Sequence, residues 1–336
     1  MDLNWMVLTV ILTFAVIFVN GWTDAPNAIS TVVATGGLTL RQAAFFAAIC
    51  NCLGVAVMVC VSPAVAWSVG SIINMTERER TLGAEPAVRI LLCAALLTIV
   101  IWSVGAWYFG IPTSESHGLI AAMTGAALAF SGVSAIRWEI WGAVVAGLVG
   151  SVVLGFCSSY VATFFLKESV HRRRFLLPQM TSAMAMAFMH GAQDGQKFLG
   201  ILLLALQDST GSGTLGFTDE TILLKMAVIC AAVMGLGTLV GGGRIVETMG
   251  RGLVELDPRE GCAADGTAAG CLLGASLLGF PVSTTHVKAA AVLGAGLCGG
   301  RKIDGNIVKD LGITWLLTFP GCLVLGYVLT RWFMVY

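Results

Sequence analysis

The sequence contains little charge for a chain of 336 residues. Asp, Glu, Lys and Arg make up 11% of it, whereas about a quarter of the residues in a typical soluble domain are charged. Hydrophobic residues make up 57%, and the mean hydropathy is +0.87. This composition excludes an ordinary soluble domain. We therefore predict an all-α polytopic membrane protein.

Motifs of several other protein classes are also missing. The ten cysteines include no CxxC or Cys/His spacing, and we interpret them as small apolar helix residues. There is no HExxH or similar spacing, which argues against an intramembrane hydrolase, so we predict no enzymatic activity and no cofactor. The formal net charge of zero gives no indication of a nucleic-acid partner, and we expect none.

Apolar stretches recur along the whole chain. A spanning helix needs about 20 apolar residues. Such stretches lie near residues 4–20, 42–62, 88–109, 140–165, 180–206, 221–241, 262–280 and 312–333. Further helical pieces are expected to begin near 25, 111 and 281. We therefore predict that several helices are broken or re-entrant.

Two short polar motifs interrupt this apolar sequence, and each occurs twice. The first spans 20–28 and recurs at 190–198, and the second spans 112–117 and recurs at 281–286. Both motifs repeat after about 170 residues. A shared period indicates an internal duplication. We expect the polar patches of the two copies to meet at one site.

A basic segment divides the two copies. Residues 167–178 include Lys167, His171 and three consecutive arginines, and the positive-inside rule places such a segment in the cytoplasm. We predict a first membrane repeat over 1–166, a basic cytoplasmic linker over 167–178 and a second membrane repeat over 179–336. If each half crosses the membrane an odd number of times, the two repeats have inverted topology.

Two segments lie outside the apolar stretches at corresponding places in the halves, namely 74–87 and 243–260. The second of them alternates apolar and charged residues at helical spacing. That pattern is typical of an amphipathic helix at the membrane interface.

Asp24 and Asp194 each follow an apolar segment and stand beside small residues, where a helix can unwind. An ionisable side chain at membrane depth costs at least a few kcal/mol and normally faces a cavity or a partner. The alternative is that both aspartates cap helices at the membrane surface. Their duplicated positions favour a place on a transport path.

The second motif supplies hydroxyl groups that suit an oxyanion. Half-helix N-termini offer free N–H groups to an anion, whereas carboxylates hold a cation. Pro112 and Pro281 suit the first turn of a helix. The hydroxyls that would then lie beside the free N–H groups belong to Thr113, Ser114, Ser116, Ser283, Thr284 and Thr285. The alternative is that these hydroxyls only cap helices.

Glu115 and Lys197 break the similarity between the two copies, because Thr284 and Asn27 stand at the corresponding positions. A buried Lys197 could pair with an aspartate, attract the substrate or replace a coupling cation. Glu115 could carry a proton if it is desolvated.

His117 and His286 end the two copies of the second motif. A histidine inside a membrane protein either carries protons or forms a hydrogen bond to a neighbouring helix. The sequence does not decide between these two roles for His117 and His286.

At these residues the chain resembles the inorganic phosphate transporter family, the Pit-type phosphate permeases. That family carries a duplicated Gly-Ala-Asn-Asp-x-x-Asn-Ala signature, to which 21–28 and 191–197 correspond. It also carries a duplicated Pro-x-Ser-x-Thr/Ser-His signature, to which 112–117 and 281–286 correspond. The resemblance implies secondary active import of inorganic phosphate by cation symport. It also implies inverted repeats with broken helices and re-entrant hairpins, and usually a homodimer.

The resemblance also implies roles for individual residues. Asp24 and Asp194 belong to the coupling-cation site, and they are metal ligands if the cation is sodium. The phosphate site comprises Thr23, Asn27, Thr113, Ser114, Ser116, Gln193, Gln196, Ser283, Thr284 and Thr285. Proton or charge roles are assigned to Glu115, Lys197, His117 and His286.

The first signature is only partly kept. Thr23 and Gln193 stand where the family has Asn before the aspartate, and the second copy continues with Gln196 and Lys197. A lysine beside Asp194 could replace one metal ion, so the coupling ion is left open between sodium and a proton.

The central loop is brief, whereas other members of the family carry a large cytoplasmic domain there. We expect a compact prokaryotic member that is a multi-pass protein of the plasma membrane, in contact with lipid. Hydroxyl and N–H donors do not distinguish tetrahedral oxyanions by the number of protons that each carries. The alternative function is therefore a permease for another tetrahedral oxyanion such as sulfate or arsenate.

Overall fold

The computed structural model describes residues 2–70, 85–136, 138–166, 175–206 and 220–335, and the regular elements in these ranges are helices. The first half contains α1 (Asp2–Thr23), α2 (Pro26–Ala34), α3 (Leu40–Val61), α4 (Ala64–Gly70), α5 (Glu85–Tyr108), α6 (Glu115–Ser131) and α7 (Trp138–Leu166). The second half contains α8 (Leu176–His190), α9 (Gln196–Ala205), α10 (Glu220–Val240), α11 (Gly243–Glu247), α12 (Pro258–Leu277), α13 (Thr284–Cys298) and α14 (Gly305–Phe333).

Seven helical stretches among the described residues are long and apolar enough to cross a membrane. They are Asn4–Ala34, Leu40–Val61, Ala87–Tyr108, Glu115–Ser134, Val144–Leu166, Thr221–Val240 and Gly305–Phe333. The predicted all-α polytopic class is confirmed. The predicted segments 180–206 and 262–280 are also helical, but the first is interrupted and the second carries the charged residue Asp265.

Part of the predicted linker lies outside the described residues, namely 167–174, and so does most of the predicted segment 74–87. Helix α8 begins at Leu176, so the last three residues of the predicted linker are helical. The division into two repeats about this linker stays a prediction.

Both copies of the first motif interrupt a helix at the aspartate. Helix α1 ends at Thr23, and Pro26, which has no N–H to donate, begins α2. The corresponding interruption in the second half is a π-helical turn over Gly191–Gly195, which contains no proline. A local distortion of the helix therefore accompanies each aspartate, as the sequence predicts.

Both copies of the second motif form an extended segment followed by a helix. Ser114 and Ser283 are the N-cap residues, and their hydroxyls accept the backbone N–H groups of His117 at 3.3 Å and His286 at 3.2 Å. The helices therefore begin directly after the serines. The prediction that Pro112 and Pro281 occupy the first turn is wrong, because each proline precedes the cap.

The two halves pack into each other. Helix α6 of the first half packs against α14 of the second, and α13 of the second half packs against α7 of the first. At these crossings Gly125 faces the backbone carbonyl of Leu323, and Gly294 faces that of Phe156. Glycine allows helix backbones to approach this closely. Elements of both halves are thereby brought to the centre of the molecule.

We expect Gly125→Ala to destabilise the protein by about 1–3 kcal/mol, because the new methyl group would overlap the carbonyl of Leu323. Thermal unfolding in detergent measures the effect. Gly142→Ala is the matched control, since a methyl group at this exposed helical position meets no neighbouring atom. Equal unfolding midpoints for the two variants would contradict the close crossing.

The predicted amphipathic segment is helical over Gly243–Gly252, with a π-helical second part. Its apolar side chains Ile245, Val246 and Met249 are buried, and the segment packs against α2. The exposed Arg244 lies 5.1 Å from the ring centre of Trp107. Its position at a membrane interface stays a prediction.

Candidate functional site

Asp24 and Asp194 lie in one buried polar cluster, although they come from different halves of the chain. Their side chains are 4% and 1% exposed. The Thr284 hydroxyl at the start of α13 lies 3.3 Å from Asp24 Oδ2 and 3.2 Å from Asp194 Oδ2. The structure thus brings both interrupted helices and one copy of the second motif together.

Uncharged donors surround the Asp24 carboxylate. Asn27 Nδ2 donates to Asp24 Oδ1 at 2.6 Å, and the Thr285 hydroxyl donates to the same oxygen. The Thr285 hydroxyl also lies 3.2 Å from the Thr113 carbonyl oxygen, which links α13 to the extended segment before α6. No Lys or Arg in the described residues forms an ion pair with Asp24.

The Asp194 carboxylate, in contrast, is paired with a cation. Lys197 Nζ lies 2.7 Å from Asp194 Oδ1, and it donates to Ser116 Oγ and to the Val282 carbonyl oxygen at 2.6 Å each. Asn20 Nδ2 donates to Asp194 Oδ2 at 3.1 Å. Of the roles considered for Lys197, pairing with an aspartate is the one that this geometry displays.

His190 is a third member of the cluster that the sequence reasoning did not single out. Its Nε2 lies 3.4 Å from Asp194 Oδ2 and 3.9 Å from Asp24 Oδ2. Its Nδ1 lies 3.1 Å from Asn51 Oδ1, and Asn51 Nδ2 donates to Thr238 Oγ1 at 3.0 Å. This network assigns a proton to Nδ1 and leaves Nε2 facing the two carboxylates.

Ligand atoms of Asp24, His190 and Asp194 all lie within 4.8 Å of one another, so these three residues could hold a cation. A signal for His190 was present in the sequence. It stands in the first motif where Asn20 stands in the other copy, and it precedes Asp194 by one helical turn.

Glu115 lies close to Asp24 beside a small pocket. Its Oε1 accepts the Thr23 hydroxyl at 2.7 Å. The residues that line the pocket are Thr23, Asp24, Ser103, Trp107, Ile111, Thr113, Glu115 and Ile245. The two carboxylates are therefore its charged lining.

Many polar atoms around the cluster are buried without a hydrogen-bond partner among the described residues. They are Asn20 Oδ1, Asn27 Oδ1, Glu115 Oε2, His190 Nε2, Gln193 Oε1 and both side-chain polar atoms of Gln196. Gln193 Nε2 donates to the Phe280 carbonyl oxygen at 3.3 Å, which leaves its Oε1 as an acceptor. Buried polar groups normally have partners, so this concentration indicates a ligand site.

Other predicted residues make further contacts, although His117 Nδ1 and both ring nitrogens of His286 have no hydrogen-bond partner among the described residues. The rings of His117 and His286 lie 4.7 Å apart and continue into the aromatic rings of Phe319 and Trp315 on α14. Ser114 and Ser283 cap helices, as described above. The Thr113 hydroxyl lies 3.1 Å from Trp102 Nε1 and 3.1 Å from Thr318 Oγ1.

A helical membrane protein whose interrupted helices bring carboxylates, a lysine and hydroxyls to one buried site has the architecture of a secondary transporter. The sequence matches the family described as "Phosphate transporter family" over residues 20–180 and 170–326. The chain belongs to this family.

Relatives and a solved structure agree with this assignment. A Bacillus subtilis protein with the description "Probable low-affinity inorganic phosphate transporter" is 32% identical, over 96% of this chain and 95% of its own. A Rhizobium meliloti protein of the same description is 32% identical, over 92% and 90%. The structure described as "The sodium-dependent phosphate transporter" matches with a TM-score of 0.86 and 22% identity, covering 99% of both chains.

These comparisons decide two predictions. The resemblance to the phosphate permeases is confirmed over nearly the whole chain. The matched family and relatives are described as transporters, so the prediction of a transport protein rather than an enzyme is also confirmed. At 22% identity, the solved structure shows only that the two chains share a fold.

Proposed function

We propose that this protein imports inorganic phosphate by symport with a cation, sodium or a proton, through alternating access between two inverted repeats. The observation that carries the proposal is the Thr284 hydroxyl, which lies within 3.3 Å of both Asp24 and Asp194. Donors suited to an anion and carboxylates suited to a cation therefore contact each other directly.

This contact supports a physical mechanism of coupling. The donor groups of Asn27, Thr284 and Thr285 are directed at the Asp24 carboxylate. A cation on that carboxylate would satisfy its charge and release these donors to a phosphate oxygen. Each ion would then raise the affinity of the other by the same factor.

The proposed phosphate site combines these donors with the remaining predicted residues. Lys197 would add positive charge, and the unpartnered Gln196 amide would add a donor. The unpartnered Glu115 Oε2 would accept the proton that monohydrogen phosphate carries and sulfate lacks. The alternative function is a permease for sulfate or arsenate. Competition of sulfate or arsenate against the uptake of labelled phosphate distinguishes the two functions.

Some side chains of the site favour sodium as the coupling cation, and others favour a proton. The unpartnered oxygens of Asn20, Asn27 and Gln193 are ligands of the kind that a hard cation such as sodium prefers. The nitrogens of Lys197 and His190, which lie beside Asp194, favour a proton because they reduce the number of oxygen ligands there. We also propose that the protein is a homodimer in the plasma membrane.

We expect one of two gradients, sodium or proton, to drive the accumulation of labelled phosphate in proteoliposomes. The other gradient should have no effect. Each gradient is imposed separately, with the membrane potential clamped. Uptake driven by sodium at equal pH would assign sodium, and uptake driven by pH without sodium would assign the proton. Saturable uptake that responds to neither gradient would contradict symport.

A further inference from the structure

A second buried ion pair lies outside the site described above. Lys288 Nζ contacts Asp265 Oδ1, and both side chains are 0% exposed. The Thr31 hydroxyl lies 2.9 Å and 2.7 Å from the two Asp265 oxygens. Lys288 Nζ also lies 3.1 Å from Thr31 Oγ1 and 3.4 Å from the Ala28 carbonyl oxygen. The cluster therefore joins α2, α12 and α13.

This cluster lies one helical turn from the proposed transport site. Thr31 follows Asn27 by four residues on α2, and Lys288 follows Thr284 by four residues on α13. Residues four apart lie on the same face of a helix. Helices α2 and α13 thus meet twice, through Asn27 and Thr285 at 3.4 Å and again through Thr31 and Lys288.

The positions that correspond to this cluster in the opposite copies of the motifs hold no such ion pair. Counted from the second motif, Leu119 corresponds to Lys288 and Leu96 to Asp265, and counted from the first motif, Ile201 corresponds to Thr31. All three are at most 1% exposed and belong to one hydrophobic cluster. Apolar side chains can therefore fill this junction between helices.

The charges need an explanation other than packing. Taking a carboxylate and an ammonium out of water is costly, and apolar residues of similar volume commonly stabilise a protein as well or better. Ionisable side chains inside a membrane protein are functional candidates for this reason.

We propose that Lys288 and Asp265, with Thr31 between them, are positioning residues for transport. They fix the register of α2 against α13, so that Asn27, Thr284 and Thr285 hold their donors at Asp24. This inference rests on the proposed function of that site. Hydrogen bonds and charge fix one register, whereas an apolar contact tolerates small shifts of one helix along the other.

The decisive variant carries Lys288→Leu and Asp265→Leu together and reproduces the residues of the other half. Each single substitution leaves one buried charge unpaired and should lower the thermal unfolding midpoint. The double variant should regain the wild-type midpoint. Its KM for phosphate uptake in proteoliposomes should nevertheless rise by about tenfold or more, as is typical when residues that support a binding site are lost.

A double variant with wild-type stability and a wild-type KM would overturn the inference, because the pair would then be replaceable packing. Thr31→Val serves if the double variant does not fold, since it removes the bridging hydroxyl at nearly constant shape. We expect an increase in KM of about threefold to tenfold for Thr31→Val. An unchanged KM would equally contradict the positioning role.

Amide hydrogen exchange separates this inference from the proposed function. In the double variant or Thr31→Val, exchange over 27–31 and 284–288 should become faster while the remaining helices keep their protection. Unchanged exchange in both segments would contradict the inference. Absence of uptake by the wild type would contradict the proposed function alone, and the exchange measurement would still decide the positioning role.

Discussion

Phosphate uptake by the Asp24→Asn variant is expected to fall about hundredfold relative to the wild type at equal incorporation into proteoliposomes. Asp24 is buried and accepts hydrogen bonds from Asn27 and Thr285. Asparagine keeps the shape but cannot balance a cation. A loss of about 3 kcal/mol in charge-assisted interactions corresponds to roughly a hundredfold change. Initial rates of labelled phosphate uptake measure it.

Folding and charge must be separated in this experiment. The unfolding midpoint of Asp24→Asn should stay near that of the wild type or rise, because the substitution removes a buried charge that no Lys or Arg of the described residues pairs. Asp310→Asn is the matched control, since Asp310 is exposed on α14. Uptake by Asp24→Asn within twofold of this control would remove Asp24 from the transport path.

Lys197→Met is expected to abolish uptake and also to destabilise the protein by about 3–5 kcal/mol. Lys197 is 1% exposed, and its ammonium contacts Asp194, Ser116 and the Val282 carbonyl. Methionine fills a similar volume but leaves the Asp194 carboxylate buried without its cation. Thermal unfolding in detergent and uptake in proteoliposomes measure the two effects.

A double variant distinguishes a structural from a transport role for this lysine. Asp194→Asn combined with Lys197→Met removes both charges, so most of the lost stability should return while uptake stays abolished. Lys309→Met is the control, because Lys309 is exposed on α14. Recovery of uptake in the double variant would show that the pair serves stability only.

Most of the predictions about the site came from the duplicated motifs. The interrupted helix at Asp24 and the helices that begin just after Ser114 and Ser283 follow from local chemistry: a missing proline N–H and serine caps. The π-helical turn before Gln196 has no such local marker, and the sequence indicated only that a break occurs there.

Residues whose role depends on distant partners were missed. His190 gains its meaning from Asn51 and Asp24, which lie far away in sequence, and Asp265 was hidden inside a stretch that was predicted only as a span. The proton or charge roles of His117 and His286 stay a prediction; their rings contact each other and the aromatic rings of α14.

The sequence by itself determined the membrane class, the family and the correspondence of the two motif copies, because composition and repeated motifs are visible in the residues themselves and helix caps depend on residues within one turn. Only the tertiary structure decided which donor faces which carboxylate and that Lys197 neutralises Asp194 rather than Asp24. The physical reason is that helices from opposite halves cross at glycine contacts, and the angle and register of those crossings set distances that no local pattern encodes.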